Sequence, residues 1–448
     1  MLVRLVQPPL AEQRLLWLLV DALAVQLVVA APHVLAHGKL ARGPAAHPCV
    51  CGRFLNFCEE KLMNTELYLT DSCNMKCSFC GSWNQNGVSN DLHIDTIKEY
   101  IDTIHRNGYR YLSLSGGEPF LYKHLYEVID YANQKGFLIN VTTNGLLIDK
   151  EYIAFVKNKN VITRVSLHTL HKENYRRLTG VDVLDSVQTS VGLLKDSCSM
   201  FGIGMTVSDY NINEVYSLAE YAASNNASYI RYTPVYRVYK GTEFNTNSET
   251  FYKILHSITR IILDYYDDLE MKTTPSIFGE DILNIHTTKP CGAGSDAYIA
   301  LNPDLKLVAC PVLPHYFELP VEKYESYSNI VSLKEKYTNL LDSIDIDKLE
   351  GKCAECLYKT SCRGGCISTK LESGLELTSE QPICINEIVH KVLSLYSERD
   401  RKRIIDYWNY WNQKNSIGTV SNKGCIRRLP IWEIHFRRKN DYQKQYRR

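Results

Sequence analysis

From Glu66 onward, short runs rich in β-branched and aromatic residues alternate with segments of helical period. That alternation leaves this 448-residue chain few folds to choose from. The strand segments read as ELYLT (66–70), YLSLS (111–115), INVTT (139–143), RVSLH (164–168), GIGMTVS (202–208) and YIRYTPV (229–235). Between the first two, Ile94, Ile97, Ile101 and Ile104 fall at helical spacing, and Asn107-Gly108 stops that helix. Leu125, Val128, Ile129 and Ala132 mark the next helix, stopped by Gly136, and Leu184, Val187, Val191 and Leu194 mark another. Six βα units in a row predict an α/β fold, a parallel sheet with helices outside. In such folds functional groups gather at the C-terminal ends of the strands.

Charge is balanced, 51 Lys+Arg against 50 Asp+Glu, so nothing drives the chain toward nucleic acid or an anionic membrane. Apolar content of 45% excludes bulk disorder, and no repeat suggests collagen or coiled coil. Both ends differ from the middle. Residues 1–50 contain no Ile, Asn, Ser, Thr, Tyr or Phe. Their apolar core, Leu15 to Ala31, is at the short limit for a membrane span and is broken by Asp21 and Gln26. An amphipathic helix or an upstream extension is the reading adopted, with Met63 a candidate start. The tail from Lys423 to Arg448 holds nine Lys/Arg against Glu433 and Asp441 and reads as a solvated basic tail, with an acidic peptide or redox partner as the alternative. Fifteen cysteines, an odd number and clustered, point to metal binding or chemistry rather than a disulfide framework.

Three of them, Cys73, Cys77 and Cys80 in DSCNMKCSFCGSW, have C-x3-C-x2-C spacing in the loop after strand one. Thiolates so close can ligate three irons of a cubane cluster and leave the fourth open. A structural zinc site would want a fourth ligand nearby, and none follows. This spacing, with an aromatic before the third Cys, resembles the radical S-adenosylmethionine (SAM) superfamily. Gly116-Gly117-Glu118-Pro119 after strand two is similar to the family's GGEP segment, which binds the methionine amino group of SAM, and Thr143-Asn144-Gly145 to its TNG turn. Ser166 resembles the ribose- and carboxylate-contacting Ser, and Arg177 in YRRLTG the Arg often found there. His168 reads as a core or rim histidine. The resemblance covers about residues 64–240 and implies a partial (β/α)6 TIM-like barrel that holds a [4Fe–4S] cluster with SAM.

Seven more cysteines follow: Cys291, Cys310, Cys353, Cys356, Cys362, Cys366 and Cys384. Their central run, C-x2-C-x5-C-x3-C, resembles the SPASM domain of peptide-modifying radical SAM enzymes. That resemblance implies two auxiliary [4Fe–4S] clusters, one on Cys291, Cys310 and Cys366, the other on Cys353, Cys356, Cys362 and Cys384. A pair of zinc ribbons is the bland alternative. Two departures stand out. Leu305 in NPDLKLVAC occupies a position where the pattern usually has Gly, so an altered turn is expected. The first auxiliary set is one Cys short, leaving an open iron or an unusual ligand such as Asp296. Cys49, Cys51, Cys58, Cys198 and Cys425 read as incidental thiols.

The domain plan expected is 1–62 an extension, 63–240 the barrel, 241–289 a connecting helical region, 290–390 the SPASM domain, and 391–448 a C-terminal helix and basic tail. The resemblance implies an electron from a flavodoxin- or ferredoxin-like donor, reductive SAM cleavage, and hydrogen abstraction by a 5′-deoxyadenosyl radical. The CSFCGSW sequence looks like the cyclophane- and darobactin-type group, so the expected substrate is a ribosomal precursor peptide that receives side-chain cross-links. Formylglycine formation is disfavoured by Pro311, where sulfatase-maturating enzymes carry an acidic base. Thioether formation and epimerisation remain alternatives, and a zinc-ribbon binding module is the non-enzyme rival. Oxygen-labile clusters imply the cytoplasm, with neither nucleic acid nor membrane as partner.

Overall fold

The computed structural model describes residues 63–80, 90–197, 199–235, 244, 247–265, 298–310, 320–405 and 432–435. The N-terminal stretch with Leu15–Ala31, and Cys49, Cys51, Cys58, Cys198, Cys291, Asp296, Pro311 and Cys425, lie outside the described residues. Among the described residues, no helix is long and apolar enough to cross a membrane.

All six expected strands form: β1 (Met63–Thr70), β2 (Tyr109–Gly116), β3 (Leu138–Thr143), β4 (Val161–Ser166), β5 (Phe201–Val207) and β6 (Tyr229–Pro234). Each pairs in parallel with the next. The connections are carried by α1 (Ile94–Arg106), α2 (Leu125–Gln134), α3 (Lys150–Val156), α4 (Lys172–Thr179), α5 (Leu184–Asp196) and α6 (Val215–Ser224). In α1 the isoleucine stripe is buried through Ile97, Ile101 and Ile104, and Gly108 follows at φ +85°. Burying such side chains is worth about 1.5–3 kcal/mol each. Tyrosines fasten helices to strands inside this core. Tyr100 bonds Thr65 Oγ1 (2.7 Å), Tyr152 bonds Thr163 Oγ1 (2.8 Å), and Tyr232 donates to Val215 O (2.7 Å).

The sheet does not end with β6. Strand β7 (Ile299–Leu301) lies parallel on β1, and β8 (Lys306–Val308) and β9 (Glu322–Lys323) follow antiparallel. At the other edge β10 (Trp432–His435) runs antiparallel on β6. The order is β10-β6-β5-β4-β3-β2-β1-β7-β8-β9, so β1 and β6 never meet and the barrel stays open. Residues 432–435 were expected in a solvated tail; backbone pairing with Tyr229–Tyr232 makes them an edge strand instead. Helix α7 (Ser248–Asp264), with a capping box from Asn247 and Thr250, packs on α6 and on α11 (Ile385–Leu393). Between them come α8 (Tyr327–Asp342) and the short α9 (Lys359–Cys362) and α10 (Ile367–Glu372).

Leu305 sits in the tight turn between β8 and the strand before it. That residue adopts the left-handed conformation (φ +59°) which a glycine would take without strain. Lys306 N–H donates to Asn302 Oδ1 (2.9 Å) and Leu305 N–H to Asn302 O (3.0 Å), and these bonds hold the turn against a penalty of about 1–2 kcal/mol.

Candidate functional site

Parallel strands buried on both faces read as continuous apolar runs. Here they alternate. In β4, Val161, Thr163 and Val165 are buried under the helices, while Ile162, Arg164 and Ser166 take the opposite, inner face. That inner face is polar. Asn140 Nδ2 donates to Ser113 Oγ (3.1 Å), Arg164 to Thr142 Oγ1 (2.6 Å), and Tyr229 Oη to Asn140 Oδ1 (3.3 Å). Tyr298, just before β7, donates to Glu66 Oε2 (2.9 Å) and bonds the Tyr68 hydroxyl (3.0 Å). Such a surface suits polar contents.

The three-cysteine loop leaves β1 at the C-terminal edge of this face. Lys76 and Ser78 N–H groups donate to Thr179 O (3.2 Å) and Leu178 O (2.9 Å), which lays the loop on the end of α4. On its other side the Gly116-Gly117 segment docks directly on the backbone. Gly117 N–H donates to Thr70 O and Glu118 N–H to Ser72 O, both 2.7 Å. A Cβ on Gly117 would overlap the Ser72 carbonyl, and Gly116 sits at φ +121°. These glycines are therefore set by close backbone approach.

The charges acting on the thiols are anionic. Burial pushes the Cys73 thiol up to about 11, and Glu118 and Cys80 add to the rise while Met75 N–H and Asn144 oppose it. Cys77 is pushed up further, by burial first and then by Cys80 and Cys73. A bound cation reverses this balance and holds thiols as thiolates. Among the described residues, no three His, Cys, Asp or Glu converge on a single ion. A cubane does not require that, because each thiolate binds its own iron. The donor set thus fits an iron–sulfur cluster.

Glu118 joins the ends of β2 and β3. Its carboxylate is 1% exposed and accepts from Thr143 Oγ1 (2.7 Å), Asn144 N (2.8 Å) and Phe120 N (3.1 Å). Asn144 carries the link back to the cysteine loop. Its Oδ1 accepts from Leu146 N (3.0 Å), which fixes the amide orientation, and Nδ2 donates to Asn74 Oδ1 (2.6 Å) and to the Cys73 sulfur. Cys73 also accepts from Met75 N (3.4 Å). Pro119 opens a single 3-10 turn behind Glu118. The Asn74 contact had no sequence signal, since it needs two turns 70 residues apart to meet.

Ser166 ends β4 on the inner face. Arg177 lies on α4 with its guanidinium 3.7 Å over the Tyr210 ring. Tyr210 meets Phe244 edge-on at 5.4 Å, Phe244 lies 6.5 Å from Phe79, and Phe79 meets His168 at 4.8 Å. An aromatic path thus runs from Arg177 to the residue before Cys80.

His168 is buried, and its Nδ1 accepts from Thr206 N (3.0 Å). Burial lowers its pKa from 6.5 to about 4, so the folded chain binds this proton more weakly than the unfolded one. Its contribution is present above pH 6.5 and is lost as pH falls toward 4, by about 3 kcal/mol. Glu118 works in the opposite sense. Burial raises it from 4.5 to about 6, so its contribution falls as pH rises through that window, by about 2 kcal/mol. His168→Gln retains an acceptor for Thr206 and should reduce the acid loss by about 3 kcal/mol in urea melts between pH 7 and 4. An unchanged slope would refute this account of His168.

In the C-terminal array, Cys310 is buried after β8, and Cys353 closes a 3-10 turn. Cys362 ends α9, and Cys366 and Cys384 take the N-cap positions of α10 and α11. Between Cys362 and Cys366, Arg363, Gly364 and Gly365 are all left-handed, at φ +49°, +76° and +93°. Cys353, Cys362 and Cys366 share one neighbour, the Lys370 ammonium, and Cys384 lies near Lys352. Cys356 and Tyr358 are neighbours on the rim.

The profile of the radical SAM superfamily matches residues 67–222. Mycofactocin maturase MftC of Mycolicibacterium smegmatis is 24% identical over 330 residues, spanning 71% of this chain and 81% of that protein. The antilisterial bacteriocin subtilosin biosynthesis protein AlbA of Bacillus subtilis is 24% identical over 312 residues, spanning 68% and 67%. In three dimensions, Streptococcus suis SuiB bound to its precursor peptide SuiA aligns with a TM-score of 0.56 at 14% identity, over 82% of this chain and 87% of SuiB, which establishes the fold. Residues 67–222 are thus a radical SAM domain, the chain is an enzyme, and that domain implies a [4Fe–4S] cluster with SAM.

Proposed function

We propose that this chain is a maturase of ribosomally made peptides that removes hydrogen from a precursor peptide and installs side-chain cross-links, C–C or ether. The observation that carries the reading is the cysteine loop at the edge of a polar inner face, in a chain that continues into a second cysteine array. The names of MftC and AlbA, and the peptide bound to SuiB, support a peptide substrate. Cys73, Cys77 and Cys80 would hold the barrel cluster, and Gly116, Gly117, Glu118, Pro119, Asn144, Ser166 and Arg177 would hold SAM. When bound, the cluster and SAM supply a 5′-deoxyadenosyl radical able to take an unactivated hydrogen atom.

The chain's own residues hold the reactants and keep water out. Phe79, His168 and Phe244 form an apolar wall beside the loop, and the inner face offers hydroxyls, amides and Arg164 to a peptide backbone. Cross-linking removes two hydrogens, one as an atom and one as a proton with an electron. The auxiliary clusters, on Cys291, Cys310 and Cys366 and on Cys353, Cys356, Cys362 and Cys384, would accept that electron. A flavodoxin- or ferredoxin-type protein of the reducing cytoplasm would supply the electron that starts each turnover.

Anaerobic reconstitution should give brown protein with about twelve irons. Mass spectrometry of the co-expressed precursor should show the loss of two hydrogen masses for each C–C link. Zinc in place of iron would refute the enzyme reading of the array. A formylglycine product would refute cross-linking.

A further inference from the structure

Lys370 is 1% exposed, and lysines are rarely buried without a compensating partner. It stands on α10, one turn after Cys366. Its Nζ donates to Leu377 O (2.6 Å) and lies against Gly364, close enough that a Cβ on that glycine would come within 2.5 Å of it. Gly364 lies in the left-handed reversal between Cys362 and Cys366. The ammonium therefore fills the hollow of that loop. Around it are the thiols of Cys353, Cys362 and Cys366 and the carboxylate of Glu350. Burial pulls the Lys370 pKa down, and those four groups push it back up. One carbonyl satisfies one of its three protons, so the rest of its charge is left to the sulfurs and the Glu350 carboxylate.

We propose that Lys370 is a positioning residue for electron transfer, a fixed buried cation between the two auxiliary cysteine sets that raises the reduction potential of both clusters. The inference rests on the auxiliary-cluster reading, in which Cys366 belongs to one set and Cys353 and Cys362 to the other. Reduction adds negative charge to a cluster. A buried cation nearby stabilises the reduced form more than the oxidised form, and low dielectric magnifies the difference. Lys370 would thus favour passage of the substrate's electron into the array. Sequence alone gave no signal for this, because a lysine four residues after a cysteine on a short helix ordinarily points to solvent.

The test is a potentiometric titration followed by electron paramagnetic resonance on reconstituted full-length enzyme, wild type beside Lys370→Met and Lys370→Arg. Iron content is measured first. In Lys370→Met, iron should equal that of wild type, and both auxiliary clusters should become harder to reduce by about tenfold, a shift of about 59 mV to more negative potential. The barrel cluster should not move, and Lys370→Arg should restore the auxiliary potentials. If Lys370→Met does not fold, Lys370→Gln replaces it, because Gln keeps a donor for Leu377 O and removes only the charge. Unshifted auxiliary potentials overturn the proposal, as does loss of iron in the variant, which would assign Lys370 a purely structural role. A wild type that binds only about four irons overturns the auxiliary-cluster reading itself, and the iron measurement reports that before any variant is compared.

Discussion

Replacing Cys73, Cys77 or Cys80 with Ala is expected to abolish 5′-deoxyadenosine formation and to remove about four of about twelve irons, leaving the C-terminal array loaded. On the proposed assignment the effect would be all-or-none, because each thiolate would bind a different iron and a cubane missing one protein ligand in this loop is labile. The loop should otherwise persist. Its backbone is held by bonds from Lys76 and Ser78 to the end of α4 and from Gly117 and Glu118, just after β2, and none of those bonds uses a thiol. The three variants should therefore melt, as apo-proteins, within about 1 kcal/mol of wild type. Nucleoside analysis after reduction reads the activity, and iron analysis reads the cluster. Persistent 5′-deoxyadenosine in any of the three would remove that cysteine from the assignment.

The second large effect is steric. Gly117→Ala places a methyl group into the Ser72 carbonyl, and the neighbours that must move are backbone atoms of Asp71 and Ser72. Flexible side chains could yield, but this backbone is pinned by 2.7 Å bonds on both flanks. A destabilisation of about 3 kcal/mol follows, with loss of the barrel cluster because the loop carrying Cys73 is displaced. Gly192→Ala is the control. Gly192 lies in α5 with open space around its absent Cβ, and there alanine should stabilise by about 0.5–1 kcal/mol. Equal melting of Gly117→Ala and wild type would show that the close approach carries no constraint.

The six βα units could be read in the sequence because each strand and helix keeps its own period over enough residues. The ends were less legible. β1 begins at Met63 rather than Glu66, since Asn64 and Thr65 are polar, yet Thr65 is buried by a bond to Tyr100. β4 stops at Ser166, where Leu167 N–H turns to Gly204 O and His168 drops into the core. Strands β7 to β10 are two to four residues long and leave almost no periodic trace. They exist because a distant edge pairs with them: Thr65 Oγ1 donates to Ile299 O across 234 residues. The cysteines were visible through spacing. Their non-cysteine neighbours, Asn74, Tyr298 and Lys370, were not, because each meets its partner only after the chain has folded.

The strands on either side of the six-stranded sheet have a practical consequence. A chain cut after residue 240 would keep every residue of the three-cysteine loop and of Gly116-Gly117-Glu118-Pro119, yet would leave β1 without β7 and β6 without β10. The cut would bare the backbone of Thr65–Leu67, which pairs with β7, and of Tyr229–Tyr232, which pairs with β10. Bare strand backbone recruits other chains and drives aggregation. The C-terminal region therefore acts as the barrel's seal against self-association, and a soluble catalytic fragment would need both flanks re-covered.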